Sequence, residues 1–245
     1  MIEPYYQDKW VTIYHGDCRE ILPQLPKVDL VLTDPPYGYN EFGDFTGEEA
    51  NMFWRDLIYS LENIMAIGCS FYTFTGWKYY CEARLNIKEH LKYLKTLIWD
   101  KRTFIGTRGD IKTLTYHNIS EPIILAYKNG TDITFNLEDV RIPTIHNDPR
   151  SNPKGKRPGD IISVIAIRNN DSSKLDHKGQ KPSELLEIFV KASSNKDDLI
   201  LDPFLGSGTT AFCAKKLGRR CIGIEIEERY CEIAANRCSQ SVMEF

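Results

Sequence analysis

The sequence predicts an α/β fold built on a mostly parallel, twisted sheet, and three observations support this fold class. Short apolar runs rich in β-branched residues, such as Val28–Thr33, alternate with longer segments of helical periodicity, as in sheets covered on both faces. Two of these runs, 28–33 and 198–201, are each followed by Asp-Pro. The length of 245 residues suits one such domain with an insertion.

The composition limits the class of protein. Hydrophobic residues make up 42% of the sequence and charged residues 27%, the balance of a soluble globular chain. No apolar run approaches the ~20 residues of a membrane span, and the first residues show neither a basic nor an apolar targeting segment. The seven cysteines form no Cys-x-x-Cys pair, so we expect reduced thiols and no metal site. These features predict a cytoplasmic protein without a membrane anchor.

The net charge of −3 is distributed unevenly along the chain. Residues 1–75 are strongly acidic, whereas 76–128 and 141–181 each contain an excess of lysine and arginine. A fold that gathers these two basic blocks on one face would present a surface for a polyanion. An evenly mixed, solvated surface is the alternative that the sequence leaves open.

The first 130 residues alternate between strand and helix patterns. Apolar runs and helical periodicity predict strands over 11–15, 28–33, 69–75, 93–99 and 121–128, a short helical run over 18–22, and helices over 48–66 and 78–90. Two glycine-containing loops lie between them. The loop 38–47 contains three glycines and three aromatic residues and is a candidate lid or ligand-contacting arm.

In the second half, periodicity fails over 131–174 and then returns. The stretch 147–159 is polar, basic and rich in proline and glycine, which is also typical of a linker. After it the pattern predicts helices over 183–192, 209–217 and 227–239, and strands over 198–201 and 221–225.

Asp34-Pro35-Pro36-Tyr37 follows the apolar run 28–33. This places it at the carboxyl end of a predicted strand, where open α/β sheets bind ligands. The two prolines remove two backbone donors, which leaves a rigid corner rich in acceptors beside an aromatic ring. Such a corner suits a planar group that carries an NH2. A simple strand-terminating turn is the alternative.

A second stretch, Asp202 to Thr210, carries a glycine-rich turn after the strand 198–201. Gly206 and Gly208 permit a tight turn, and Glu225 ends the next strand, where a carboxylate accepts two ribose hydroxyls. This order is that of the nucleotide-binding half of a Rossmann-like sheet. The missing third glycine and the acidic Asp202 argue against a pyrophosphate and favour a cationic sulfonium amino acid.

Together the two stretches resemble the amino-methyltransferases of DNA, which methylate adenine N6 or cytosine N4. Because the Asp-Pro-Pro-Tyr motif precedes the glycine-rich motif, the order matches the circularly permuted group called β-class. The resemblance implies a Rossmann-like methyltransferase fold with a catalytic half over 1–130, a small inserted target-recognition region over 131–175, and a cofactor-binding half over 176–245.

The resemblance also implies S-adenosyl-L-methionine as cofactor. Asp17 and Cys18 would lie near its adenine, although Asp17 also fits a helix N-cap. Gln180-Lys181-Pro182 resembles the motif that holds the methionine moiety, but Lys178 and Gly179 replace its usual proline and threonine. The residues expected to bind the cofactor are Asp17, Cys18, Asp34, Gln180, Lys181, Pro182, Asp202, Pro203, Phe204, Gly206, Ser207, Gly208, Thr209, Glu225 and Ile226.

By the same resemblance, Asp34 and the carbonyl of Pro35 accept the two hydrogens of the target amine, and Pro36 keeps the corner rigid. Tyr37 stacks on a base that is flipped out of the duplex. Asp at the first position of the motif favours adenine N6, since cytosine-N4 enzymes of this group more often carry serine. Cytosine N4 is the alternative, and a catalytically inactive DNA-binding protein on the same fold is the third interpretation.

The expected partner is double-stranded DNA. The resemblance leaves open whether a cognate restriction endonuclease accompanies the protein and whether it is a monomer or a homodimer. Basic side chains in two loops are candidates for phosphate contacts. These candidate DNA-binding residues are Lys101, Arg102, Arg108, Lys154, Lys156 and Arg157.

Overall fold

The computed structural model describes residues 2–36, 47–102, 119–143, 152–168, 171–177 and 179–240. Its strands are β1 (Tyr6–Gln7), β2 (Val11–His15), β3 (Val28–Thr33), β4 (Met65–Phe74), β5 (Lys92–Asp100), β6 (Ser120–Tyr127), β7 (Ile161–Ser163), β8 (Leu199–Asp202) and β9 (Arg220–Glu225). Its α-helices are α1 (Cys18–Ile21), α2 (Gly47–Ile64), α3 (Tyr80–His90), α4 (Ser183–Ser193), α5 (Thr209–Lys216) and α6 (Glu228–Ser239). The helices and strands predicted from periodicity are all present.

The strands form one sheet in the order β1-β2-β9-β8-β3-β4-β6-β5-β7. Its centre, from β2 to β4, is parallel throughout. β6 runs antiparallel to both β4 and β5, and β1 runs antiparallel to β2. The prediction of a mostly parallel sheet is therefore confirmed.

Both faces of the sheet are covered, which explains why the central strands are apolar at nearly every position. In β3 the side chains of Leu30 and Leu32 pack on the face that carries α4, α5 and α6. Val31 points to the opposite face and packs with Trp54 and Ile58 of α2. All five side chains are buried. Full burial of such a side chain is worth about 1.5–3 kcal/mol, so β3 is held firmly from both sides.

The helix predicted over 48–66 ends two residues earlier, at Ile64, and Met65 begins β4. The ammonium of Lys128 donates to the carbonyl oxygens of Glu62 and Met65, at 2.7 and 3.1 Å. A cation at a helix C-terminus satisfies carbonyl groups that have no partner within the helix. This long-range cap explains a boundary that periodicity alone could not place.

Within 131–174 the structure adds a strand that the sequence analysis did not predict. β7 pairs in parallel with β5, and Trp99 donates its indole N–H to the carbonyl of Val164 at 2.8 Å. The stretch from 152 to 157 is anchored by an antiparallel bridge between Ile142 and Lys156. A three-residue edge strand carries too few side chains to show a period, which is why it escaped prediction.

The described residues contain no helix that is long and apolar enough to cross a membrane. All seven cysteines carry free thiols, six of them buried.

Candidate active site

A cavity of about 930 Å³ opens at the carboxyl ends of the central parallel strands. Residues that follow β2, β3, β8 and β9, together with Phe74 at the end of β4, line it. Parallel strands bring their carboxyl ends to one edge of the sheet, so segments far apart in sequence meet here. The acceptor corner and the glycine-rich turn thus share one cavity.

The acceptor corner follows β3 directly. Asp34, Pro35 and Pro36 all line the cavity; Pro35 is buried, and the side chain of Asp34 is 24% exposed. Tyr37 lies outside the described residues, so its stacking role stays a prediction. The corner therefore presents a carboxylate and a carbonyl-rich backbone to the cavity, with no N–H at either proline.

The Asp34 carboxylate is held by a lysine. Lys181 places its Nζ 2.5 Å from Oδ2 of Asp34 and 3.1 Å from Oε1 of Glu121 on β6. The other oxygen of Glu121 lies 2.9 Å from Nζ of Lys101. Burial disfavours the ammonium, but the two carboxylates outweigh burial and raise the pKa of Lys181. The sequence analysis assigned Lys181 to the cofactor and missed Glu121 altogether.

One signal could have pointed to Glu121. It is an acid at the start of an otherwise apolar strand pattern, and a carboxylate in a buried sheet needs a partner. Nothing in the sequence shows that the partner comes from about 60 residues further along the chain, because ion pairs across a fold leave no periodic pattern.

The glycine-rich turn connects β8 to α5 with left-handed backbone at two positions. Gly206 has φ of +52° and Gly208 has φ of +78°, a region that residues with a Cβ rarely adopt. A Cβ at Gly206 would lie 2.9 Å from Nε2 of His177, and one at Gly208 would lie 2.8 Å from Cβ of Ala234. Both glycines are therefore required by conformation and by space.

Asp202 at the end of β8 joins the two motifs. Its carboxylate accepts hydrogen bonds from the hydroxyls of Thr33 and Thr210, at 2.9 and 2.6 Å, and from the backbone N–H of Phe204 at 3.1 Å. Burial raises the pKa of Asp202 to about 7, although these donors act in the opposite direction. Asp202 lines the cavity as predicted, and it also ties β3 to the glycine-rich turn.

Glu225 ends β9 beside the glycine-rich turn. One carboxylate oxygen accepts the backbone N–H of Gly206 at 2.8 Å, and the other accepts that of Glu227 at 2.9 Å. Burial raises the pKa of Glu225 above its ordinary value. Each oxygen has a second lone pair, so the carboxylate is oriented by backbone donors and still able to accept two hydroxyls.

We expect Glu225→Ala to weaken the affinity for S-adenosylmethionine by about 1–3 kcal/mol, because it removes charge-assisted hydrogen bonds. Isothermal titration calorimetry measures this loss directly. Glu228→Gln is the matched control, since Glu228 is an exposed acid in the first turn of α6. An affinity of Glu225→Ala equal to that of the control would reduce Glu225 to a structural cap of the turn.

The other predicted cofactor residues fall into two groups. Asp17, Cys18, Gln180, Pro203, Phe204, Ser207, Thr209 and Ile226 line the cavity. Pro182 and Gly208 are not part of its lining; Pro182 is the N-cap residue of α4, and Gly208 packs toward Ala234. These two residues do not face the cavity, but their chain neighbours line it.

Asp17 is the N-cap of α1. Its carboxylate accepts the backbone N–H of Arg19 at 2.9 Å, and the guanidinium of Arg19 lowers its pKa. The N-cap is therefore observed; Asp17 also lines the cavity, and its place near the cofactor's adenine stays a prediction. Ile226 is 52% exposed and offers an apolar surface near it.

Arg237 on α6 is a second functional candidate that the sequence analysis missed. Its guanidinium donates to Thr209 Oγ1 at 2.8 Å and to the carbonyl of Ser207 at 3.3 Å, and its other nitrogen donates to Ser183 Oγ at 3.1 Å. It therefore fastens the glycine-rich turn to the start of α4. Its position on a helical pattern carried no signal of this contact.

The five candidate DNA-binding residues that the structure describes are not part of the cavity lining. Lys101 pairs with Glu121, and its side chain is 27% exposed, while Arg102 lies 3.8 Å from Asp100. Arg108 is outside the described residues. Lys154 pairs with Glu138 at 3.4 Å, the guanidinium of Arg157 lies 5.6 Å from the ring centre of Phe135, and Lys156 is exposed.

The sequence of this chain is similar to those of known DNA methylases. Residues 28–236 match the model of the N6_N4_Mtase family, which is described as DNA methylase. The type II methyltransferase M.ScaI of Streptomyces caespitosus is 30% identical over 96% of this chain and 83% of its own length. The DNA adenine methyltransferase YhdJ of Escherichia coli K12 is 29% identical over 92% of this chain and 82% of its own length.

Solved structures agree with the fold. The M1.HpyAVI–SAM complex matches with a TM-score of 0.70 at 26% identity, covering 94% of this chain and 100% of that chain. The PvuII DNA methyltransferase, described as cytosine-N4-specific, matches with a TM-score of 0.81 at 17% identity, covering 99% and 91%; at that identity the likeness concerns the fold alone. The resemblance seen in the sequence is confirmed, and the chain belongs to the N6/N4 DNA methylase family.

Proposed function

We propose that this protein transfers a methyl group from S-adenosylmethionine to the N6 amine of an adenine flipped out of double-stranded DNA. One observation carries the proposal: the acceptor corner at Asp34 and the glycine-rich turn with Glu225 line the same cavity. A methyl donor and an amine acceptor can therefore meet without movement of the sheet. Asp at the first motif position and the relative YhdJ, named a DNA adenine methyltransferase, support adenine over cytosine.

The residues of the cavity fit S-adenosylmethionine. Glu225 has two oriented acceptor oxygens for a ribose, and the carboxylates of Asp34 and Asp202 offer negative charge to a cationic sulfonium amino acid. The glycine-rich turn brings backbone close without side chains in the way. A volume of about 930 Å³ lies near the upper end of the ~300–1,000 Å³ range of ligand pockets, as expected for a cavity that takes a cofactor and a base together.

Bound S-adenosylmethionine supplies an electrophilic methyl group. The target amine is a poor nucleophile, because its lone pair is delocalised into the ring. We infer that Asp34 and the carbonyl of Pro35 accept its two hydrogens, which localises the lone pair on nitrogen. As positive charge develops on the amine, the carboxylate of Asp34 stabilises it electrostatically. Positioning by the rigid prolines supplies the rest of the rate enhancement.

We propose that residues 131–175 read the target sequence, between a catalytic half (1–130) and a cofactor half (176–245). In support, Lys154, Lys156 and Arg157 are exposed on the stretch 152–157, which is anchored by the bridge between Ile142 and Lys156. β7 attaches this region to the edge of the sheet. Phosphate contacts from Lys154, Lys156 and Arg157 would set the position of the protein on the duplex, while base contacts would select the site.

The proposed function is tested by incubating the protein with methyl-labelled S-adenosylmethionine and duplex DNA of mixed sequence, then digesting the DNA to nucleosides. We expect the label in N6-methyl-2′-deoxyadenosine. Label in N4-methyl-2′-deoxycytidine would mean that the same reaction takes place on cytosine N4 instead. If the cofactor binds by calorimetry and no base is labelled, the protein only binds DNA on this fold and the proposed reaction is wrong.

A further inference from the structure

Lys181 is an unusual residue for the floor of this cavity. Its side chain is 9% exposed, as is that of Glu121, and its Nζ contacts Asp34 and Glu121 and lies 4.8 Å from the ring centre of Phe74. With Lys101 on the far side of Glu121, four side chains alternate in charge from the acceptor corner outward. Taking an ammonium and two carboxylates out of water is costly, so such a cluster is weak evidence for a role in stability.

The cluster is placed at the reacting end of the site. Asp34 follows β3, Glu121 lies on β6 and Lys181 precedes α4, so three separate elements converge on one ammonium. Of the two carboxylates it contacts, one is the proposed acceptor of the target amine. Lys181 donates to Oδ2 of Asp34, and this contact orients a carboxylate that lines the cavity.

We propose that Lys181 is a positioning residue that holds Asp34 as an oriented, ionised acceptor, and that Glu121 is the counter-charge that keeps this ammonium from repelling the sulfonium of the cofactor. The inference rests on the proposed function, because only that function brings a sulfonium beside Asp34. Asp34, Lys181, Glu121 and Lys101 together carry no net charge. Without Glu121 the remaining three carry one net positive charge, which repels a cation.

Other charged groups face this cluster. Asp34 faces Lys181 and, across the corner, Asp202; Glu121 faces Lys181 and Lys101. The pKa of Asp202 is raised to about 7 by burial, with a smaller contribution from the charge of Asp34, so Asp202 titrates near neutral pH in the wild type as well. The informative quantity is therefore the difference between variants.

The first measurement is the single-turnover rate of methyl transfer between about pH 5 and pH 9. Lys181→Met removes the positive charge that favours the ionised carboxylate of Asp34. The acid limb of the pH–rate profile should therefore move to higher pH, by about one unit or more. At neutral pH we expect the rate to fall about 100-fold, with partial recovery at the alkaline end. Lys181→Arg keeps the charge and restores most of the rate. Glu121→Gln moves the acid limb to lower pH.

The second measurement needs no turnover. S-adenosylmethionine and S-adenosylhomocysteine differ at sulfur by one charge and one methyl group, so the ratio of their dissociation constants reports the electrostatic potential there. We take the dissociation constant of S-adenosylmethionine divided by that of S-adenosylhomocysteine, both measured by calorimetry. Glu121→Gln should raise this ratio about threefold to tenfold, and Lys181→Met should lower it by a similar factor. Lys196 is an exposed lysine, and Lys196→Met should leave the ratio unchanged.

Opposite shifts in the two variants support the proposal, since loss of folding moves both in one direction. Unchanged ratios in both variants, or a wild-type rate profile in Lys181→Met, would overturn it. If Lys181→Met does not fold by circular dichroism, Glu121→Gln decides through both measurements. A wild-type protein that methylates no base would instead refute the proposed function, and the binding ratios would still report the charge at the site.

Discussion

Asp34→Ala is expected to abolish methyl transfer, with a loss of at least about 1,000-fold, while cofactor affinity stays within about tenfold of the wild type. The reason is that Asp34 acts mainly on the target amine, and its charge supplies only part of the attraction for the cofactor. Its carboxylate is the one charged acceptor of the corner that follows β3, and its orientation is fixed by Lys181. Without it, nothing in the corner offsets the charge that develops on the amine.

Single-turnover kinetics with saturating cofactor measures this effect, and calorimetry measures cofactor affinity in the same preparation. Asp34→Asn sharpens the test, since it keeps the shape of the side chain, loses the charge and retains one acceptor. We expect it to remain about 100-fold or more below the wild type. Asp197→Asn is the control, because Asp197 is exposed and lies outside both the cavity lining and the proposed target-recognition region. Turnover of Asp34→Ala near that of the control would remove Asp34 from the reaction.

The parts of the site that could be predicted from the sequence are those encoded by neighbouring residues. β3 is a run of apolar residues because both of its faces are buried, and the motif that follows it is placed by the end of that strand. The glycine-rich turn is local too, since left-handed backbone at Gly206 and Gly208 leaves a composition that is visible in the sequence. For these elements sequence and structure agree.

What could not be predicted are the contacts between distant segments. Lys181 and Glu121 meet only because α4 and β6 begin at the same edge of the sheet, and no periodicity links them. The same holds for Arg237, whose guanidinium fastens the turn from α6. Lys181 shows the consequence: its motif predicts backbone contacts to the cofactor, and only the fold shows that its ammonium contacts Asp34.

The glycine-rich turn provides the second large effect. Gly208 adopts φ of +78°, and a Cβ there would lie 2.8 Å from Cβ and 2.9 Å from Cα of Ala234 on α6. Gly218 adopts nearly the same φ, +73°, and a Cβ there would meet nothing within 4 Å. The two positions therefore separate backbone strain from steric overlap, because Ala substitution introduces the strain at both and the overlap at one.

We expect Gly218→Ala to cost about 1 kcal/mol of unfolding free energy, the strain of a left-handed alanine. Gly208→Ala should cost about 2–4 kcal/mol, since displacement of a packed helix adds about 1–3 kcal/mol to the strain. Urea denaturation monitored by circular dichroism measures both. Only Gly208→Ala should also weaken S-adenosylmethionine binding, by about tenfold or more, because α6 also carries Arg237, which anchors Ser207 and Thr209 of the turn. Equal stability and equal cofactor affinity in the two variants would mean that the turn can shift without a cost in free energy. Ala234 would then not fix the position of the turn.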